Sequence, residues 1–240
     1  MSEEFIDPRS EMMIPPDMVY MNHASVGTNP IKTYQILDNL TRGKAEKGFA
    51  SIDMDNMMNA WTDTRTNFAK IINGNPEGVV YTSNTASGLG LTADGLFRHF
   101  QKGGNIVIPE IEFTTNSFVW QLVARRYGLT LRTVPFQGGE LKGWENLIDS
   151  ETRLVAVSFV QFKNGYVADI NHLNKLAHEN DAFLSVDGIQ GLGAIPFDAI
   201  SWNVDFLSAG GYKWLLGPWG SGFFYCKPKL LQEFDPILIK

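Results

Sequence analysis

"SAGGYKWLLGPWGSGFFYC", Ser208 to Cys226, is the stretch from which the rest of the chain is read. One lysine, Lys213, stands there among glycines, aromatics and leucines, with no carboxylate in the run. Burying an unpaired ammonium costs on the order of several kcal/mol or strips its proton. An amine of depressed pKa is in turn suited to act as a nucleophile or to form a Schiff base. The alternative is a solvent-facing lysine on a glycine-rich turn. The apolar runs "VDFLSAG" and "GSGFFYC" flank the lysine and predict short strands, so Lys213 follows a strand end.

Upstream, strand and helix signals alternate. "GVVYTS", "GNIVIPE", "LTLRTVPF", "ETRLVAVSFVQ" and "AFLSVDG" read as strands. "ASGLGLTADGLFRHF", "TNSFVWQLVARRYG" and "NHLNKLAHEND" read as the helices between them. Strands without polar alternation, separated by segments of helix length, predict an α/β fold with a mostly parallel sheet in a three-layer α-β-α arrangement. "MMNAWTDTRTNFAKIING" has helical spacing and stops at Asn73-Gly74. The Met-, Pro- and Asn-rich opening reads as an irregular arm leading into a helix, and we divide the chain into an arm with first helix (1–45) and a large domain (46–240).

The bulk composition narrows the class. A net charge of −6 argues against nucleic acid as a partner, because such proteins present a basic face. The lone cysteine, Cys226, excludes an internal disulfide framework. "MSEEFIDPRSEMM" lacks the apolar centre of a signal peptide, and no apolar run reaches the ~18 residues of a membrane span. The cytoplasm is the expected compartment, with no membrane partner.

Ligands of open parallel sheets bind beyond the carboxyl ends of the strands. Those ends read "TSNTASG", "PEIEFTTN", "VQFKNG", "VDGIQG" and "AGGYK". Asp187 closes an apolar strand, where an acid needs a cation or strong donor unless it caps a helix. Gln190 follows three residues on, the spacing of a capping box. Asn84 and Thr85 precede a helical segment, a place suited either to N-capping or to holding a phosphate. "GLGLTA", Gly88–Ala93, matches a dinucleotide fingerprint with Glu110 following. Its glycines fall within the expected helix rather than in the turn before it, which counts against that reading. The four histidines form no metal pattern. His23, in "MNHASVG", sits in a turn where a backbone bond is the simple explanation.

Together these ends suit a ligand with a phosphate, a flat face (Phe113), a protonated ring nitrogen (Asp187), a ring hydroxyl (Gln190) and an aldehyde (Lys213). Pyridoxal 5′-phosphate has those parts. "SVDGIQGLGAIPFD" followed by "DFLSAGGYKWLLGPWGSGFFY" puts acid and lysine 213 − 187 = 26 residues apart. From "MNHASVG" to "GPWGSGFFY" the chain resembles the class V aminotransferase family, fold-type I pyridoxal-phosphate enzymes that include cysteine desulfurases. The resemblance implies Lys213 as Schiff-base lysine and proton shuttle, with Asp187 against the pyridine nitrogen. It implies Gln190 at the ring oxygen, Asn84 and Thr85 at the phosphate, and Phe113 stacked on the ring. Ser208 stands in for a phosphate-binding serine where this chain has Gly210, and Tyr212 stands where desulfurases often carry a histidine. Asn22 and His23 are the expected substrate contacts.

Phe162 occupies a position where desulfurases tend to have asparagine, so these departures lean away from that branch. Relatives continue into a C-terminal small domain that carries the arginine for the substrate carboxylate. Here the sequence ends at "FDPILIK" with no arginine after Arg153, and that domain is expected to be absent. We expect an aminotransferase-like enzyme acting on an amino acid, as a homodimer. The alternatives are a lyase, epimerase or desulfurase using the same cofactor, a truncated cofactor-binding protein without turnover, and a nicotinamide-dependent oxidoreductase.

Overall fold

Apolar side chains on alternate residues of the strands face opposite sides of one sheet, and each side is covered by helices. Ile106, Ile108, Leu154, Ala156, Phe206 and Phe224 join Leu89, Phe100 and Trp120 in one buried layer. Val107, Val155, Val157, Leu184, Val186 and Leu207 meet Phe68, Trp144, Leu173 and Ala177 in the other. The result, in a computed structural model that describes residues 8–232 and 234, is the expected three-layer α-β-α arrangement. Residues 1–7 of the acidic opening, and 233 and 235–240 near the carboxyl end, lie outside the described residues.

The chain begins with the arm, which leads into α1 (Ile31–Lys47) and α2 (Met54–Ile71). There follow β1 (Val79–Thr82), α3 (Thr85–Gly95), α4 (Phe97–Phe100), β2 (Asn105–Pro109), α5 (Thr114–Tyr127) and β3 (Thr130–Val134). A small hairpin, β4 (Phe136–Gln137) with β5 (Glu140–Leu141), precedes α6 (Trp144–Leu147) and β6 (Thr152–Ser158). The last elements are α7 (Ile170–Glu179), β7 (Phe183–Asp187), β8 (Phe206–Gly210) and β9 (Gly222–Cys226). The sheet order is β1-β9-β8-β7-β6-β2-β3. Within this sheet β9 runs against the others, pairing antiparallel with both β1 and β8. The carboxyl ends of β1, β2, β7 and β8 therefore share one edge.

Local chemistry sets the helix ends. Asp53 accepts a hydrogen bond from the Asn56 N–H at the start of α2, and Asp169 accepts one from His172 N–H at the start of α7. α5 ends at Gly128, whose φ of +68° suits a left-handed cap. In α7, Ile170, Leu173, Asn174 and Ala177 form the buried stripe of an amphipathic helix.

Three local expectations are corrected. The run "ASGLGLTADGLFRHF" is two helices, broken at Leu96, rather than one. "LTLRTVPF" is divided between β3 and the hairpin strand β4. No helix follows Asp187, where the Asp187–Gln190 spacing predicted a capping box; the segment turns instead, and Asp187 Oδ1 accepts from the Ile189 N–H at 3.0 Å. α1 buries none of its residues.

The arm reaches the sheet edge at Gly27. Its N–H donates to the Tyr212 carbonyl at 2.7 Å, and a Cβ there would fall on the Lys213 carbonyl oxygen. Gly27→Ala must push the arm off the Tyr212–Leu216 segment, because the obstacle is backbone. Overpacking of this kind costs about 1–3 kcal/mol, so the melting temperature should fall by several degrees in a thermal unfolding scan. An unchanged midpoint would show that the arm is not seated there.

Candidate active site

A cavity of about 420 Å³ opens at the shared strand edge, a size in the ordinary ligand-pocket range. Asp187 enters it from the end of β7, and Tyr212 and Lys213 from the loop after β8. Ser83, Asn84, Thr85 and Ala86 come from the β1–α3 turn, and Phe113 from the turn after β2.

Asp187 is 2% exposed. Burial pushes its carboxyl up to about 7; the Ile189 N–H opposes the shift, the negative charge of Glu112 adds to it and the Lys213 ammonium opposes it. Lys213 is half-buried, and burial pushes its ammonium below the usual lysine range, with Asp187 pulling it partly back. No salt bridge to Lys213 occurs among the described residues. Its Nζ lies 5.9 Å from the centroid of the Phe113 ring. Burial and the Asp187 charge both push the Tyr212 phenol upward, and Trp219 stacks on Tyr212 at 4.8 Å. A half-buried amine of lowered pKa thus shares one cavity with a buried acid and an aromatic face.

Asn84 is the N-cap of α3, its Oδ1 accepting from Ser87 N–H at 2.9 Å. Thr85 Oγ1 accepts from Gly210 N–H at 2.8 Å, so its hydroxyl ties α3 to β8. Both bonds use acceptor atoms only, so the turn offers an anion the free backbone N–H groups of the first helical turn together with the Ser83 and Thr85 hydroxyls and the Asn84 amide N–H₂. Gly88 and Gly90 lie inside α3. A Cβ on Gly88 would come within 2.6 Å of Ser208 Oγ, so this glycine serves helix-to-strand packing. Glu110 accepts from Phe136 N–H at 2.6 Å. The dinucleotide fingerprint is thereby accounted for by structure.

Four sequence candidates sit apart from the cavity lining. Gln190 spends its amide on the Ala24 carbonyl (3.0 Å) and on the Trp214 indole N–H (3.1 Å). Ser208 is fully buried beneath α3, its hydroxyl without a partner among the described residues. His23 stacks on Trp214 at 5.6 Å and borders a separate cleft formed by the arm. Asn22 accepts backbone bonds from Ser25 and Val26 within the arm's turn. The cavity instead recruits Thr115, Ile189, Trp219 and Gly220, which the motifs did not single out. The motifs also passed over Glu112, a buried acid beside Phe113 that carries the same signal as Asp187, a carboxylate at a strand end.

The donor set suits pyridoxal phosphate on the structure's own terms. The cavity holds an amine without an ion pair, a buried carboxylate with a raised pKa, a helix start and an aromatic ring. Gln161 Oε1 is a further buried acceptor without a partner among the described residues. Among the described residues Lys213 is the only cation in the lining, and no arginine borders it.

A probable cysteine desulfurase of Methanothermobacter thermautotrophicus is 29% identical over 239 residues, covering 97% of this chain and 59% of that protein. A cysteine desulfurase of Dickeya dadantii is 36% identical over 182 residues, covering 74% of this chain and 44% of its own length. The apo structure of a cysteine desulfurase from Thermococcus onnurineus superposes with a TM-score of 0.85 at 26% identity, covering 99% of this chain and 61% of that one. The chain thus spans about three-fifths or less of the relatives it matches. The family model for aminotransferase class-V matches residues 34–240, and the chain belongs to the class-V aminotransferase family.

Proposed function

We propose that this chain carries the cofactor half of a pyridoxal-phosphate-dependent enzyme that acts on an amino acid. The observation that carries the reading is Lys213, a half-buried amine of lowered pKa sharing its cavity with the buried acid Asp187. When bound, pyridoxal phosphate supplies an electron sink for the pair left at the substrate α-carbon. Lys213 would hold the aldehyde carbon through Nζ, and the same nitrogen would accept the substrate α-proton. Asp187 keeps a proton on the ring nitrogen. Phe113 would cover the flat face, and the Ser83–Ala86 turn would hold the phosphate at the N-terminus of α3.

Amino transfer is the reaction we assign, with cysteine desulfuration as the second reading because of the named relatives. Among the described residues no thiol lines the cavity. Cys226 is 1% exposed and its thiol is pushed up to about 12, chiefly by burial. Phe162 also meets Phe113 edge-on at 5.0 Å where desulfurases tend to carry asparagine. Pairing of two copies belongs to the same reading, supported by the exposed Met13, Met21 and Trp61. The expected residue roles, including the division at residue 45, remain part of this proposal.

With the cofactor-loaded chain and a panel of amino acids, we expect slow, unselective bleaching of the cofactor band and release of the matching keto acid. No arginine lines the cavity among the described residues to grip the substrate carboxylate, and loss of that positioning costs orders of magnitude in rate. Sulfide release from cysteine without keto acid would replace amino transfer with the second reading.

A further inference from the structure

Glu112 is 8% exposed and lies in the turn between β2 and α5, immediately before Phe113. Its Oε1 accepts from the Phe113 N–H at 2.7 Å and from the Ser158 hydroxyl. Its Oε2 accepts from the Ser158 N–H at 2.7 Å and from Gln161 Nε2 at 3.3 Å. These contacts are donors, the complement of a carboxylate rather than a carboxylic acid. No salt bridge to Glu112 occurs among the described residues. Ser158 is also the partner of Asp187 in the parallel ladder of β6 and β7, and the Phe159 N–H donates to the Asp187 carbonyl at 2.8 Å. Glu112 is therefore fastened to the residue abreast of the site acid and to the residue that presents the ring.

We propose that Glu112 is a positioning residue of the cofactor site, which clamps Phe113 to the end of β6 and sets a second negative charge behind Asp187. The inference rests on the pyridoxal-phosphate reading. The charged and titratable groups facing Asp187 are Glu112, Lys213 and Tyr212. Glu112 and Lys213 act on it in opposite senses, and the negative Glu112 favours the proton at Asp187 or on a ring nitrogen held against it. Phe113, for its part, can cover the ring only if its backbone is fixed, and its N–H is fixed by the same carboxylate.

Glu112→Gln, Glu112→Asp and Ser158→Ala separate the two roles. In the cofactor-free protein, the pH at which thermal stability declines as Asp187 ionises should move down in Glu112→Gln. It should stay in place in Ser158→Ala and Glu112→Asp, which keep the charge. Pyridoxal phosphate affinity, followed by absorbance across the neutral range, should show the same displaced midpoint in Glu112→Gln. In Glu112→Asp the affinity should fall several-fold at an unchanged midpoint, because the shorter acid cannot hold both Phe113 and Ser158. A wild-type midpoint in folded Glu112→Gln overturns the electrostatic role, and wild-type affinity in Glu112→Asp overturns the clamp. Should Glu112→Gln not fold, Glu112→Asp still decides: a displaced midpoint there contradicts the charge argument. Wild-type protein that binds no pyridoxal phosphate refutes the cofactor reading and the proposal with it, whereas binding with unresponsive Glu112 variants refutes the proposal alone.

Discussion

Lys213→Ala abolishes covalent capture of pyridoxal phosphate. Borohydride reduction of the loaded wild-type chain should leave the pyridoxyl label on the peptide that contains Lys213, and the variant should carry none. The argument is one of geometry and proton affinity. Among the described residues Lys213 is the only amine lining the cavity, so no second nucleophile can substitute. Burial holds its pKa below the usual lysine range, which raises the neutral, nucleophilic fraction near neutral pH. Lys163 is the rival, since it follows Phe162 in sequence yet does not line the cavity. A label on Lys163, or an undiminished label in the variant, would remove Lys213 from its role. Lys213→Arg should behave like alanine in this assay, because a guanidinium keeps its charge and cannot form the linkage.

The sheet was legible because its strands are buried on both faces. Runs such as "GNIVIPE" and "ETRLVAVSFVQ" have no polar alternation, and that pattern translates directly into the observed β2 and β6. Direction is different. Nothing in "GSGFFYC" says that β9 runs against β8, since an apolar run looks the same in either orientation. The break at Leu96 comes directly after Asp94-Gly95, a weak helix pair that marks it in the sequence; it was passed over because an isolated glycine is tolerated inside a helical pattern.

The site divides in a similar way. Lys213 and Asp187 stood out because charge in an apolar setting is expensive, so sequence context alone marks it. Gln190 was singled out by its spacing and by resemblance; its partners here, the Ala24 carbonyl of the arm and the indole of Trp214, could not be read from the sequence, because a neutral amide has many possible partners. Thr85 was read as an anion contact; it lines the cavity and its Oγ1 also accepts from Gly210 N–H, a tie to β8 that the sequence did not show. These cases share a cause: a polar side chain's type limits what it can bond, and long-range packing chooses the partner. Glu112 could have been found by the argument used for Asp187, had the turn been read for buried charge rather than for the aromatic beside it.

Asp187→Asn should raise the thermal stability of the cofactor-free protein while removing most of its carbon-acid chemistry. Asp187 has its carboxyl pushed from 3.8 up to about 7 by burial first of all. A group whose folded pKa is raised binds its proton more tightly folded than unfolded. Stability from that proton is full below the unfolded value and is lost as pH rises through the folded one. For Asp187 the loss falls between about pH 4 and about pH 7, at about 1.4 kcal/mol for each tenfold difference in proton affinity between the folded and unfolded chain. Wild-type and variant should therefore melt together at about pH 4 and separate above neutrality, the variant higher by on the order of 5 °C. The asparagine keeps an oxygen for the Ile189 N–H, which accounts for its retained fold; its buried amide N–H₂ offsets part of the gain. The same substitution leaves a neutral amide where the reading needs an acid to hold a ring proton, so bleaching of the bound cofactor by amino acids should slow by orders of magnitude. Calorimetry at two pH values and a bleaching assay decide the matter together. Equal melting temperatures at both pH values would show that Asp187 does not bear the buried charge, and undiminished bleaching would show that the ring proton is held by something else.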